Sequence, residues 1–233
     1  KLLIKYTDKI AVSLPGSLEY FPKEKTIYTG NPRSSEAIKA LPIKKYELGL
    51  TENKQLVLIV MGSLGSMTIN KELEKIALKF KDKDYEVIIV TGKDYFDKFQ
   101  DIKVKNVRIV PFLNNMLNVL KVCDLIVTRA GASTIAEITA IGLPSILVPS
   151  PYVANNHQLY NAMELVNNKA SVLLEEKDFN ANNLLTKIDE VLNNKKMLQE
   201  MHKNALKLGK PNSSDLIYKS IKELVGNEDG KSN

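Results

Sequence analysis

Six short runs decide what this chain can fold into: LVLIVM (56–61), EVIIVT (86–91), VRIVP (107–111), DLIVT (124–128), SILVP (145–149) and SVLLE (171–175) are apolar on successive residues rather than on alternate ones. A strand with one wet face alternates apolar and polar side chains, so runs that are apolar throughout belong to a sheet covered on both faces, as parallel sheets are. Between them, MTINKELEKIALKF (67–80), NNMLNVLKV (114–122) and HQLYNAMELVNN (157–168) set apolar residues three and four apart, the spacing of a helix with one buried face. The alternation predicts an α/β fold, a Rossmann-like, doubly wound parallel sheet of six strands. With 233 residues, 44% of them hydrophobic, the chain can fill such a core.

The flanks read differently. KIAVS and TIYTG are two strands separated by LPGSLEYFPKEK, and GNPRSS forms a turn leading into the main domain, so this part looks like the tail of another domain. The helix-like opening, KLLIKYTDKIAV, starts at Lys1 rather than at a methionine, as a fragment or a processed chain would. After Asn180 the pattern is helical to about Val225, broken at LGKPNSS (208–214), where Gly209 and Pro211 end one helix and Ser213 or Ser214 caps the next. The expected tail, residues 226–233, is polar and disordered.

Charge and composition remove several classes of function. The net charge of +6 comes from lysines spread along the chain, with no basic stretch interleaved with aromatic residues, which argues against a nucleic-acid partner. The single cysteine, Cys123, cannot form an internal disulfide or a multi-cysteine metal site, fits a reducing compartment, and reads from its neighbours as a core residue at a helix end. No run approaches the roughly 18 apolar residues of a membrane span and none resembles a signal peptide, so a cytoplasmic location is expected. His157 and His202 are the only histidines and make no metal site; the expectation for metals is none.

Three stretches carry candidate chemistry. VMGSLGSMTIN (60–70) is a strand, a turn with Gly62, Ser63, Gly65 and Ser66, and a helix; glycines let the backbone approach a phosphate, and helix N–H groups attract it. It lacks the GK[ST] of a Walker A motif and is not a full GxGxxG, and many such turns use glycine only to change direction. TRAGASTIAEITAIGLPSILVP (128–149) supplies a second small-residue turn, with Arg129, Gly131, Ala132, Ser133 and Thr134. Two phosphate-compatible turns on one sheet edge suit a diphosphate, and that edge is where open α/β sheets bind ligands. Within the second stretch Glu137 has two readings. Thr134-x-x-Glu137 is a capping box; alternatively, if the helix begins at Ala132 or Ser133, the carboxylate is free to accept hydrogen bonds from both hydroxyls of a ribose. PSPYVANNHQLYNA (149–162) is an amide-rich loop opening a helix, where Asn155, Asn156, His157 and Gln158 could hold sugar hydroxyls, or where Asn156 is simply an N-cap in a solvated loop. No Ser-His-Asp order, carboxylate pair or nucleophile elbow stands out.

With these residues in view, TGNPR (29–33), MGSLGSMTIN (61–70), VPFLNNM (110–116), TRAGASTIAEITAIGLPSILVPSPYVANNHQLYNA (128–162) and the helical C-terminus resemble the MurG family, bacterial transferases that move N-acetylglucosamine from UDP onto a lipid-linked muramyl-pentapeptide, lipid I, to make lipid II. The resemblance implies the C-terminal donor domain of a GT-B glycosyltransferase over 34–212, a remnant of the N-terminal acceptor domain and linker over 1–33, and a helix over 213–225 returning toward the N-terminal domain. It implies that Glu137 holds the ribose hydroxyls; that Ala132, Ser133, Thr134 and Ser63 face the diphosphate; that Leu113, after Phe112, reads the uracil edge through its backbone; that Gln158 bonds the hydroxyls of N-acetylglucosamine; and that Arg33 helps with the diphosphate charge. Gly62, Phe112, Gly131, Asn156 and His157 are further donor contacts on this reading. The implied reaction is an inverting displacement with UDP-N-acetylglucosamine as donor substrate and no cofactor or metal, its base lying in an N-terminal domain that the chain lacks, at the cytoplasmic face of the membrane. Met61 departs from the family, which usually has glycine there. Two alternatives stand beside it: a donor-binding subunit that pairs with a separate acceptor chain or with itself, and a related GT-B transferase or nucleotide-sugar epimerase.

Overall fold

The computed structural model describes residues 2–61 and 67–228; Gly62 and Ser63, with the rest of the first glycine turn, lie outside the described residues. All six apolar runs form strands: β3 (Leu56–Val60), β4 (Glu86–Val90), β5 (Val107–Val110), β6 (Leu125–Thr128), β7 (Ser145–Leu147) and β8 (Ser171–Leu173), preceded by β1 (Ile10–Val12) and β2 (Thr26–Tyr28), which pair as a separate parallel sheet. The large sheet is parallel throughout, in the order β5-β4-β3-β6-β7-β8. The helices are α1 (Arg33–Lys39), α2 (Met67–Lys79), α3 (Met116–Leu120), α4 (Ala132–Ile141), α5 (His157–Asn167), α6 (Ala181–Leu192), α7 (Lys195–Leu208) and α8 (Ser213–Glu228).

Two layers of helices explain why the strands are apolar on consecutive residues. Val57, Ile59, Val87, Ile89 and Val127 point to one face, against Leu73 and Ile76 of α2 and Leu184 and Ile188 of α6. Leu56, Leu58, Ile88, Ile126 and Leu147 point to the other, against Val119 of α3, Ile135 and Ile138 of α4 and Leu165 of α5. Side chains such as Ile59 and Leu58 are fully enclosed, and burial at that level contributes about 1.5–3 kcal/mol per residue. At the end of α3 the Cys123 thiol donates to Val119 O at 3.2 Å, and burial followed by the Asp124 charge raises its pKa.

The order of the strands positions the site. From β3 the chain winds outward to β5, returns to lay β6 beside β3, and winds the other way to β8. Val60 and Thr128 are register partners, so the segments leaving β3 and β6 emerge side by side at the carboxyl edge, where the winding direction reverses and a crevice opens.

Several local expectations change. GNPRSS is not only a turn: Arg33 is the first residue of α1, which packs against α4 and α8. The helical region after Asn180 divides at Asn193 and Asn194, where the Asn194 side chain accepts from Met197 N at 3.0 Å and starts α7. Neither Ser213 nor Ser214 caps α8. Ser213 donates to Lys210 O at 2.7 Å, while Ser35 of α1 accepts from Ser214 N at 3.1 Å and donates to Pro211 O at 2.8 Å, a cap delivered from across the fold. Helix α8 continues to Glu228, into the segment read as a tail, and residues 229–233 lie outside the described residues.

Candidate functional site

Helix α4 begins directly after β6. Gly131, in extended conformation, is its N-cap and supplies no side-chain bond, so the N–H groups of Ala132, Ser133 and Thr134 have no partner among the described residues; the first bond of this end is Ile135 N to Gly131 O at 2.9 Å. Unpaired N–H groups and the positive end of the helix dipole make this an anion-binding end. The turn before it is braced by Arg129, already read as part of it, and by Asn161, which the sequence does not single out. Asn161 of α5 donates to Ala130 O at 3.0 Å, and Arg129 donates to Val148 O at 3.1 Å. Arg129 also lies 2.6 Å from Glu176 Oε2, both side chains being nearly enclosed, although the alignment is that of a charge pair rather than of a hydrogen bond. Arg129 and Asn161 stand inside the quoted motifs, but their partners are set by the fold.

Because α4 starts at Ala132, Thr134 is its third residue and not its N-cap, which removes the capping-box reading of Glu137. Glu137 sits in the second turn, only 8% exposed, and its Oε1 accepts from Arg33 Nε at 2.6 Å and lies 2.6 Å from Arg33 Nη2. Arg33 also bonds Glu36. Burial raises the Glu137 pKa above the usual carboxylate range, opposed by the Arg33 guanidinium and reinforced by Glu36. The two carboxylates outweigh the opposing desolvation and raise the Arg33 pKa.

The remaining expected residues occupy the same carboxyl edge. Following β7, Gln158 Oε1 accepts from Ser150 N at 2.9 Å, which folds the loop back on the start of α5 and leaves the Gln158 amide N–H groups without a partner among the described residues. His157 Nδ1 lies 2.9 Å from Ala154 O. Asn156 occupies the N-cap of α5, as read, but makes no capping bond, and both it and Asn155 adopt the left-handed conformation (φ 50° and 53°). After β5, Phe112 is exposed and Leu113 buried, and the Leu113 backbone makes no hydrogen bond among the described residues. Ala132 to Thr134 thus follow directly on β6, Glu137 and Arg33 pair at the second turn of α4, Gln158 opens α5 after β7, and Leu113 follows β5 on the same carboxyl edge.

The comparisons agree with this fold. Residues 56–217 match the model of the glycosyltransferase family 28 C-terminal domain. The UDP-N-acetylglucosamine--N-acetylmuramyl-(pentapeptide) pyrophosphoryl-undecaprenol N-acetylglucosamine transferase of Bacillus cytotoxicus is 44% identical over 97% of this chain and 64% of its own length, and that of Bacillus licheniformis 42% identical over 96% and 63%. The chain therefore spans about 64% of the length of the relatives it matches. Among solved structures, Acinetobacter baumannii MurG superposes with a TM-score of 0.73 (24% identity, 95% of this chain and 62% of that one), and a Listeria monocytogenes protein described as a putative UDP-N-acetylglucosamine 2-epimerase with 0.75 (16% identity, 97% and 62%). A parallel six-stranded sheet, a family match over residues 56–217 and relatives 44% identical over 97% of the chain lead to one conclusion: the chain belongs to glycosyltransferase family 28, through its C-terminal domain.

Proposed function

We propose that this chain is the donor-binding part of a transferase that moves N-acetylglucosamine from UDP-N-acetylglucosamine to a lipid-linked muramyl-pentapeptide in peptidoglycan synthesis. The names of relatives at 42% and 44% identity support the reaction. The observation that carries the donor role is the placement of Glu137, a single buried carboxylate one turn inside a helix whose first three N–H groups have no partner among the described residues. In this reading residues 34–212 hold the donor, 1–33 are the end of an acceptor domain, and α8 leads back toward that domain.

The diphosphate sits on the N–H groups of Ala132, Ser133 and Thr134, with Gly131 close by; Ser63 and Gly62, expected to face it too, lie outside the described residues. Glu137 accepts from the ribose hydroxyls, the Leu113 backbone reads the uracil edge beside Phe112, and the Gln158 amide donates to the sugar, with Asn156 and His157 bordering it. Charge that develops on UDP as it departs meets donors already oriented, and the sugar is fixed for in-line attack; both lower the barrier. The attacking acceptor and its base belong to the acceptor domain of such a transferase. A lipid-linked acceptor places the work at the cytoplasmic face of the membrane, where the chain attaches peripherally; no described helix is long and apolar enough to cross it.

Glu137→Ala tests the assignment. It is expected to weaken UDP-N-acetylglucosamine binding at least about tenfold, roughly 1.4 kcal/mol, with little change in melting temperature. Unchanged affinity would remove Glu137 from the donor site.

A further inference from the structure

Arg33 is bound at both ends of its guanidinium. Nε and Nη2 both reach one oxygen of Glu137, Oε1, at 2.6 Å, and Nη1 bonds Glu36 Oε2. The second oxygen of Glu137, Oε2, accepts no hydrogen bond from any described residue, and the side chain keeps 10% of its surface exposed. One cation between two carboxylates forms a cluster with a net negative charge, which repels a diphosphate rather than attracting it.

The backbone beneath this cluster is fixed independently. Ser34, the next residue of α1, is buried and donates to Ala136 O at 3.1 Å, one residue before Glu137. The Arg33 N–H bonds Asn31 Oδ1 at 3.0 Å, and Ser35 ties α1 to the start of α8. Helix α1 is therefore registered against α4 and α8 whether or not Arg33 is charged.

We infer that Arg33 is a positioning residue for Glu137: by holding Oε1 in a two-pronged grip it aims Oε2 and the free face of the carboxylate at the hydroxyls of a ribose, and it acts on the nucleotide through Glu137 rather than as a counter-charge for the diphosphate. The inference rests on the ribose role proposed for Glu137. A grip on one oxygen fixes the carboxylate plane while leaving acceptor positions on the other, the arrangement that two adjacent hydroxyls require. A merely structural Arg33 would affect all ligands alike, and a phosphate-binding Arg33 would affect every nucleoside diphosphate alike; a positioning Arg33 affects only ligands whose ribose reaches Glu137.

The test compares UDP with 2′-deoxy-UDP, by calorimetric titration of the full chain, in the wild type and in Arg33→Met, Arg33→Lys, Glu137→Gln and the double variant Arg33→Met/Glu137→Gln. Arg33→Met is expected to weaken UDP about tenfold and 2′-deoxy-UDP less than about threefold, and the double variant to bind UDP no more weakly than Glu137→Gln alone. Arg33→Lys, which keeps the charge and loses the fork, is expected to recover part of the UDP affinity. Equal losses for both nucleotides in Arg33→Met, or additive losses in the double variant, would overturn the inference while the ribose role of Glu137 survives. If Glu137→Gln leaves UDP binding unchanged, the ribose role fails and the inference fails with it.

Discussion

Glu137 is a carboxylate whose surroundings pull in two directions. Burial raises its pKa and the adjacent Glu36 adds to that, while Arg33 alone opposes them. Ribose hydroxyls donate to the ionised form, so nucleotide affinity is expected to fall as pH drops through a window just above the ordinary carboxylate range and to level off above it. The contribution to folding has the opposite sign. A carboxylate with a raised folded-state pKa adds stability while it is protonated, and that contribution disappears as pH rises through the folded-state value. Titrating UDP-N-acetylglucosamine, whose diphosphate has no terminal phosphate to take up a proton, from mildly acidic to neutral pH in the wild type and in Glu137→Gln checks this: the wild type should show the acid loss and the variant should not. The sequence made Glu137 legible as a candidate and left its role open between a cap and a ligand. What removes the cap, the start of α4 at Ala132, depends on Gly131 taking the N-cap in extended conformation. The ion pair to Arg33 joins residues 104 apart in the chain, a distance at which no local pattern carries information.

At the scale of elements, the strands were the most readable part, because two-sided burial writes itself into consecutive apolar residues such as Leu56 to Val60. Helix α1 was not readable: RSSEAIK offers Ala37 as its only buried apolar residue, and the helix is held by Ser34 and Ser35 bonds to α4 and the α8 start. The break between α6 and α7 was hidden for a related reason, since Asn193 and Asn194 interrupt an apolar periodicity that continues on both sides. The C-terminus of α4 gives a test that separates fold from site. Gly142 closes the helix in the left-handed conformation (φ 71°), with its N–H on Ile138 O and Thr139 O, and a Cβ there would lie 2.6 Å from the His202 ring, which itself bonds Gly142 O. Gly142→Ala is expected to cost at least about 1–2 kcal/mol from the backbone conformation alone, measured by denaturant unfolding. Because this end of α4 is opposite the open N–H groups, the affinity of the folded variant for UDP should stay within about twofold; a large loss would mean that α4 transmits strain from one end to the other.

For the whole molecule, the sheet brings the ends of β3, β5, β6 and β7 to one edge, and the residues proposed for uracil, ribose, diphosphate and sugar follow them. The chain covers about 64% of the length of its relatives, and the share of the reaction proposed for it is to hold and orient the donor. Calorimetric titration of the purified chain with UDP-N-acetylglucosamine, UDP-glucose and UDP measures that share directly. Saturable binding of UDP-N-acetylglucosamine and UDP is expected, with UDP-glucose weaker than the N-acetylglucosamine donor. Absence of binding by all three would contradict it, and equal affinity for the two sugar nucleotides would contradict the sugar assignment.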